Sequence, residues 1–62
     1  MEYKVGDLVL YMYKSGTLYY GVVVEVIVDT EWFCVIWNDG SRSMEHGNYA
    51  WIRNLSEFWR LL

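Results

Sequence analysis

The chain has 62 residues, a formal net charge of −3, a single cysteine and no proline. This length allows one domain, close to the lower limit for folding without disulfides or metals. The lone cysteine excludes a disulfide framework and a Cys/His metal quartet. The acidic balance, with cations scattered singly, argues against a nucleic-acid partner, because phosphate binding needs clustered lysine and arginine. The cations are Lys4, Lys14, Arg42, Arg53 and Arg60.

Hydrophobic residues make up 55% of the chain and aromatic residues 19%. No apolar run approaches the ~20 residues of a membrane span, and the first residues lack the pattern of a secretory signal. We therefore expect no membrane association, and a protein that is soluble in a cell or assembled there. A domain this small cannot bury all of its apolar side chains, so the surplus is expected to face a partner or a second copy.

Short runs rich in Val, Ile, Tyr, Phe and Trp alternate with glycine-centred turns, which is typical of a small all-β barrel or sandwich. The expected strands cover about residues 7–13, 19–28, 32–38, 41–46 and 50–53. Asn38-Asp39-Gly40 predicts a hairpin turn between the third and fourth strands. Two forms fit: a type I′ turn centred on Asp39-Gly40, or a three-residue loop in which Gly40 is left-handed in a bulge.

The tail "NLSEFWRLL", residues 54–62, differs from the strands. Asn54 or Ser56 can cap a short helix, which would place Phe58, Leu61 and Leu62 along one side with Trp59 beside them. A helix of this length is not stable alone in water. We therefore predict a barrel over residues 1–55 and a tail, residues 56–62, that docks on this barrel or on another chain.

Alternation along the strands predicts which side chains share a face. In the third strand, Phe33, Val35 and Trp37 point one way, and Cys34 and Ile36 the other. In the second strand both alternating sets are mostly apolar, whereas a one-sided sheet would have one polar set. Two explanations stay open: loops and the tail cover some residues of the outer face, or a permanent partner surface is formed by Val23, Ile27, Ile36, Tyr19 or Tyr20 and the tail aromatics. The two sets are Val22, Val24, Val26 and Val28 on one face, and Val23, Glu25 and Ile27 on the other.

Three segments that together span most of residues 4–55 have a recognisable pattern: "KVGDLVLY" (4–11), "YYGVVVEV" (19–26) and "VIWNDGSRSMEHGNYAWIRNL" (35–55). In these segments the chain resembles a small SH3-like β-barrel of the Tudor and KOW kind. Short proteins of tailed bacteriophages, especially those of marine cyanobacteria, have a similar outline. The resemblance implies an all-β, SH3-like five-stranded barrel, here with a short C-terminal helical tail.

A Tudor resemblance implies an aromatic cage for methylated lysine or arginine, which binds by cation–π attraction. The candidate walls are Tyr13, Tyr20, Trp37 and Tyr49, with Asp39 supplying charge. Asn38 departs from the Tudor pattern, in which a second aromatic or an acidic pair usually stands around this loop. A KOW resemblance implies contact with RNA, the ribosome or RNA polymerase, and the acidic net charge favours a protein partner over RNA.

Enzymatic chemistry lacks its usual residues in this sequence. Cys34 and His46 are the only cysteine and histidine, and no residue stands out to orient them as a catalytic pair. No glycine-rich phosphate loop is present. We expect neither catalysis nor a cofactor nor a bound metal.

The sequence therefore predicts a non-enzymatic protein-binding or assembly module. In its most concrete form, this is a small phage-encoded protein, in the host cytoplasm or in the virion, that attaches to a capsid or host protein. Self-association is a second expectation. The alternative is a Tudor-like methyl-lysine or methyl-arginine reader, or a KOW-like module. Whether Trp37 packs in the core or makes contacts at the rim stays open. The predicted protein-binding residues are Tyr19, Tyr20, Trp32, Trp51, Phe58 and Trp59.

Overall fold

Five antiparallel strands curl into a half-barrel that is followed by one short helix. The computed structural model describes the backbone of residues 3–60 and the side chains of residues 3–57. The sheet order is β4-β3-β2-β1-β5, which is consistent with an SH3-like fold. The predicted all-β fold is confirmed, and each predicted strand ends within two residues of the observed one. The elements are β1 Leu8–Met12, β2 Leu18–Val26, β3 Trp32–Trp37, β4 Arg42–His46, β5 Ile52–Asn54 and α1 Leu55–Arg60.

The turn between β3 and β4 takes the three-residue form. Gly40 has a φ of +85°, whereas Asn38 and Asp39 keep negative φ. The Gly40 N–H donates to the Trp37 carbonyl, and the Trp37 N–H donates to the Ser41 carbonyl. The type I′ alternative is wrong, because it needs positive φ at both central residues. This turn needs only one left-handed residue, and glycine adopts that conformation without a steric cost.

A bulge in β2 changes which of its side chains point inward. The register against β3 shifts between Val23, which pairs with Val35, and Glu25, which pairs with Cys34. Val23 and Val26 consequently both contact the core, although they are an odd number of residues apart. The predicted common face for Val22, Val24 and Val26 is therefore wrong. Val23 is a core residue and not part of an outer surface.

The core lies on the inner, concave side of the sheet. Trp37 is 8% exposed and belongs to it. Tyr3, which precedes the first strand, closes one end by stacking on Phe33, with ring centroids 4.1 Å apart. Burial, followed in size by the nearby Glu57 carboxylate, raises the pKa of the Tyr3 hydroxyl. The core side chains are Tyr3, Val9, Val23, Phe33, Val35, Trp37 and Ile52.

A buried polar pair joins β5 and α1 to the start of β1. The Asn54 side chain donates to Asp7 Oδ2 at 2.8 Å, and its Oδ1 accepts from the Glu57 N–H at 2.9 Å. Of the two predicted caps, Asn54 is thus the one that caps α1. Ser56 instead accepts a hydrogen bond from the Leu8 N–H at 2.8 Å, which attaches the helix to its own sheet.

The remaining tail predictions lie outside the described residues. They concern the side chains of Phe58 and Trp59 and the positions of Leu61 and Leu62. Within the part of the chain that the structure describes, no helix has the length and apolar character needed to cross a membrane.

Candidate functional site

An open depression lies at the mouth of the half-barrel, at the end of the sheet away from Asp7 and Asn54. Its volume is about 280 Å³. It forms there because Tyr11 on β1 pairs with Tyr19 on β2, and both point to the inner side, beyond the last aliphatic core residues. We call it the acidic aromatic pocket. Its lining residues are Tyr11, Tyr13, Tyr19, Trp37, Asp39, Ser41, Ser43 and Glu45.

Tyr11 is the centre of the aromatic cluster around this pocket. Its ring centroid lies 6.0 Å from that of Tyr13 and 6.0 Å from that of Trp37, which it meets edge to face. Tyr49 packs on its other side at 5.8 Å, and the two hydroxyl groups are hydrogen-bonded at 3.2 Å. That hydrogen bond, more than any other factor, raises the pKa of Tyr11 to about 12. The Tyr11 hydroxyl is therefore neutral at physiological pH.

A hydrogen-bond relay fixes the first carboxylate of the pocket. Trp37 Nε1–H donates to Ser43 Oγ at 2.7 Å, and the Ser43 hydroxyl donates to Glu45 Oε2 at 2.6 Å. Ser43 thus satisfies the polar atom of a buried indole and orients a carboxylate in the same step. Trp37 is a core residue whose edge reaches the pocket. It therefore packs in the core and also lines the pocket, the two alternatives that the sequence left open.

The hairpin turn holds the second carboxylate. Asp39 Oδ1 accepts from the Ser41 hydroxyl at 2.6 Å and from the Ser41 N–H at 2.9 Å. These two bonds, the hydroxyl first, hold the pKa of Asp39 below its usual value. Asp39 therefore carries its negative charge at neutral pH. The turn thus has a structural role and also places a negative charge at the pocket.

The composition of the pocket suits a positively charged ligand group. Aromatic faces attract cations by about 0.5–2 kcal/mol per contact, depending on desolvation. Asp39 and Glu45 add negative charge, and none of the eight lining residues is a lysine or arginine. A phosphate or another anion would meet carboxylates and no positively charged partner.

The structure brings together most of the predicted cage. Tyr13, Trp37 and Asp39 line the pocket, whereas Tyr49 packs on Tyr11 and lines a neighbouring depression. Tyr20 does not belong to it, because Tyr19 and Tyr20 are neighbours on β2 and point to opposite sides of the sheet.

Sequence reasoning did not assign five of the eight lining residues to this pocket: Tyr11, Tyr19, Ser41, Ser43 and Glu45. Tyr11 shares a face with Tyr13 at a spacing of two, and Glu45 shares one with Ser43 in the same way, so alternation was an available signal for both. Tyr19 was assigned to protein contacts in general. Its place opposite Tyr11 depends on the β1–β2 register, which no motif in the sequence marks.

The predicted protein-binding residues are placed in several regions. Tyr19 lines the acidic aromatic pocket, whereas Tyr20 lies on the outer side of the sheet with 59% of its surface exposed. Trp32 packs edge to face on His46, and Trp51, in the turn before β5, lines a shallow depression together with Met12. Phe58 and Trp59 lie outside the described side chains.

Cys34 and the other metal-binding residue types form no visible site in the described part of the chain. Cys34 is buried and lies opposite Met44. Among the described residues, no three side chains of His, Cys, Asp or Glu gather closely enough to hold a metal ion.

Comparisons with protein-family models, with curated proteins and with solved structures found no significant match. The description of this chain therefore rests on its own fold and on the residues of its pocket. It is a small five-stranded antiparallel half-barrel, consistent with an SH3-like fold, that carries an acidic aromatic pocket at its open mouth.

Proposed function

We propose that this protein is a non-enzymatic protein-binding module whose acidic aromatic pocket holds a positively charged side chain of its partner. The observation that carries the proposal is the convergence of four aromatic rings and two carboxylates on one open depression. Buried aromatic anchors dominate the energetics of many protein interfaces. In this case the anchor is the partner's lysine or arginine, and the module supplies the aromatic surface.

The proposal includes a preference for a lysine or arginine side chain that is methylated. Methyl groups spread the charge of an ammonium or guanidinium group and lower its cost of desolvation, so a methylated cation gains more from aromatic faces. The Tudor resemblance favours the same ligand, and the rings of Tyr11, Tyr13 and Trp37 support it. A KOW-like contact with RNA has less support, because a phosphate would be placed between Asp39 and Glu45.

The biological setting of the proposal rests on the resemblance to small phage proteins. In that setting, the module attaches to a capsid or host protein through a basic segment of that protein. Capture of partners with the full chain from the infected host, followed by mass spectrometry, distinguishes a virion component from a host protein. A matched capture with a Tyr13→Ala variant identifies the partners that depend on the pocket.

Calorimetry with short peptides tests the ligand class directly. The full chain is titrated with peptides that contain lysine, trimethyl-lysine, arginine or dimethyl-arginine, and with a phosphopeptide. The proposal predicts binding of at least one cationic peptide and none of the phosphopeptide. Binding of the phosphopeptide alone, or of no cationic peptide, would contradict it.

Two exposed tyrosines provide a matched pair of variants. Tyr13 in the pocket is 54% exposed and Tyr20 on the outer side is 59% exposed, so alanine affects the fold similarly little at either position. Tyr13→Ala is expected to weaken cationic peptide binding by about tenfold, the loss of one cation–π contact. Tyr20→Ala leaves that affinity unchanged, and an equal loss in both variants would argue against the pocket.

A further inference from the structure

The outer side of β1 and β2 carries an apolar surface that the acidic aromatic pocket does not use. The register of β1 against β2 places three pairs of side chains on this side, and both members of each pair are apolar. On an antiparallel sheet with one solvated side, these positions are ordinarily polar. We call this surface the outer apolar face. Its pairs are Leu8 with Val22, Leu10 with Tyr20, and Met12 with Leu18.

Neighbouring strands extend this face and mark its margins. Trp51 lies beside Met12 on the β5 side, and Ile36 lies opposite Val22 on the β3 side. The next residue outward is a cation on both flanks, since Arg53 pairs with Leu10 and Arg42 pairs with Ile36. The centre of the face is therefore uncharged, and positive charge stands only along its edges.

The exposed area of this face is large for so small a protein. Leu8, Met12, Leu18, Tyr20 and Trp51 are each 45–59% exposed. At roughly 100 Å² for each half-exposed large side chain, they present about 500 Å², near the upper end for the largest apolar patch of a typical monomer.

We propose that a second copy of this chain packs on the outer apolar face, so that two sheets meet back to back in a symmetric dimer. A two-fold interface places the same patch on both sides. The uncharged centre then buries no ion, and the arginines remain in water at the rim. Two faces of this size bury about 1,000 Å² in total, which meets the minimum expected of a biological interface and is typical of weak, reversible association.

Two further points favour a second copy over a different protein. A 62-residue domain buries only about 60% of its surface on folding, and oligomerisation commonly supplements so small a core. In addition, the pocket opens on the inner side of the same strands, so the dimer leaves both pockets free. Two pockets on one particle raise the effective affinity for a partner with repeated basic segments.

Sedimentation equilibrium of the full chain over a concentration series tests this proposal. We expect the mass to rise with concentration and to level at twice the mass of one chain. Tyr20→Lys places a charge at the centre of the face and is expected to weaken self-association by at least about tenfold. Val28→Lys is the matched control, because Val28 is also an exposed apolar residue, at 80%, outside the face.

A single species at the mass of one chain throughout would overturn the proposal, whether the face is then covered by residues 58–62, by another protein or by water. A polymer that grows without limit, or a dimer that Tyr20→Lys leaves intact, would overturn it as well. The peptide titration distinguishes this proposal from that of the pocket. Tyr20→Lys should bind cationic peptides as the unaltered chain does, and Tyr13→Ala should dimerise normally.

Discussion

The inner and outer sides of β1 and β2 differ in what fixes their side chains. On the inner side, hydrogen bonds hold polar side chains at both ends, from the Asp7–Asn54 pair at one end to the Trp37–Ser43–Glu45 relay at the other, whereas the buried Tyr3 hydroxyl has no hydrogen-bond partner among the described residues. On the outer side, the three cross-strand pairs are apolar and make no such bonds. The side chains of the inner side are thus held in place within the single chain. Those of the outer side are half-exposed in the single chain and would be buried only by contact with a second molecule.

The largest expected contrast between the two sides comes from Gly21→Ala. An added Cβ would lie 2.5 Å from the Ile36 carbonyl oxygen and 2.7 Å from Val35 Cγ1. The backbone of Val35 and Ile36 is hydrogen-bonded to β2, so it cannot move away from the added Cβ without weakening the sheet. We therefore expect the free energy of unfolding to fall by about 3 kcal/mol. Urea unfolding measures this loss. Tyr20→Ala, one residue earlier on the outer side, should cost about 0.5 kcal/mol in the monomer, and equal losses would erase the contrast.

The next effect tests the polar end of the inner side. Asn54→Ala removes the cap of α1 and the donor to Asp7 Oδ2, and we expect a loss of about 2 kcal/mol in unfolding free energy. Asn48→Ala, at an exposed position, is the control and should change stability by less than about 0.5 kcal/mol. If both variants unfold at the same urea concentration, the Asp7–Asn54 pair does not stabilise the fold as described.

A smaller stability effect, with a functional consequence, is expected at the pocket end. Ser43→Ala leaves Trp37 Nε1–H without its acceptor and Glu45 without its donor, at a cost of about 1 kcal/mol. The Trp37 indole proton should exchange faster with solvent in NMR spectra, and cationic peptides should bind more weakly. Ser15→Ala, in the exposed β1–β2 turn, should change neither quantity.

The smallest expected effect is a change in the pKa of Tyr11, which is observed at alkaline pH. The pKa of Tyr11 is raised to about 12 by the hydrogen bond to Tyr49, above the ordinary value near 10. Because the folded pKa exceeds the unfolded one, this stabilisation is complete below about pH 10 and is lost as the pH rises through 12. Tyr49→Phe should lower the pKa of Tyr11, as measured by tyrosinate absorbance. A curve that differs from that of the unaltered chain only by the loss of one titrating tyrosine would show that the hydroxyl pair is not formed.

The strands and turns were predictable from sequence because local chemistry specifies them. Gly40 supplies the left-handed residue of its turn, and β-branched runs such as Val22–Val24 favour extended backbone. The bulge after Val23 was not predictable, since nothing in a run of valines marks where pairing slips by one residue. Tyr3 was missed as a core residue because it lies outside the first strand's pattern and is positioned by contacts that are distant in sequence, among them the stacking on Phe33.

The candidate site was predictable only in part, because some of its contacts are local in sequence and others depend on strand register. Trp37 and Asp39 are adjacent to the hairpin signal, and their proximity is local. The contacts of Tyr11 with Tyr19 and Tyr49 depend on the register between strands and on the path of the chain before β5. Register places these side chains together over long sequence separations, and a single sequence does not show it.

Backbone and indole chemical shifts of the full chain, followed both on dilution and on addition of a trimethyl-lysine peptide, test the two-sided account most directly. The account predicts that the peptide shifts Tyr13, Glu45 and the Trp37 indole. Dilution instead shifts Leu10, Leu18 and Tyr20 on the outer apolar face. If both treatments shift the same residues, or if the peptide shifts only the outer apolar face, the division into a ligand-binding inner side and a self-associating outer side is wrong.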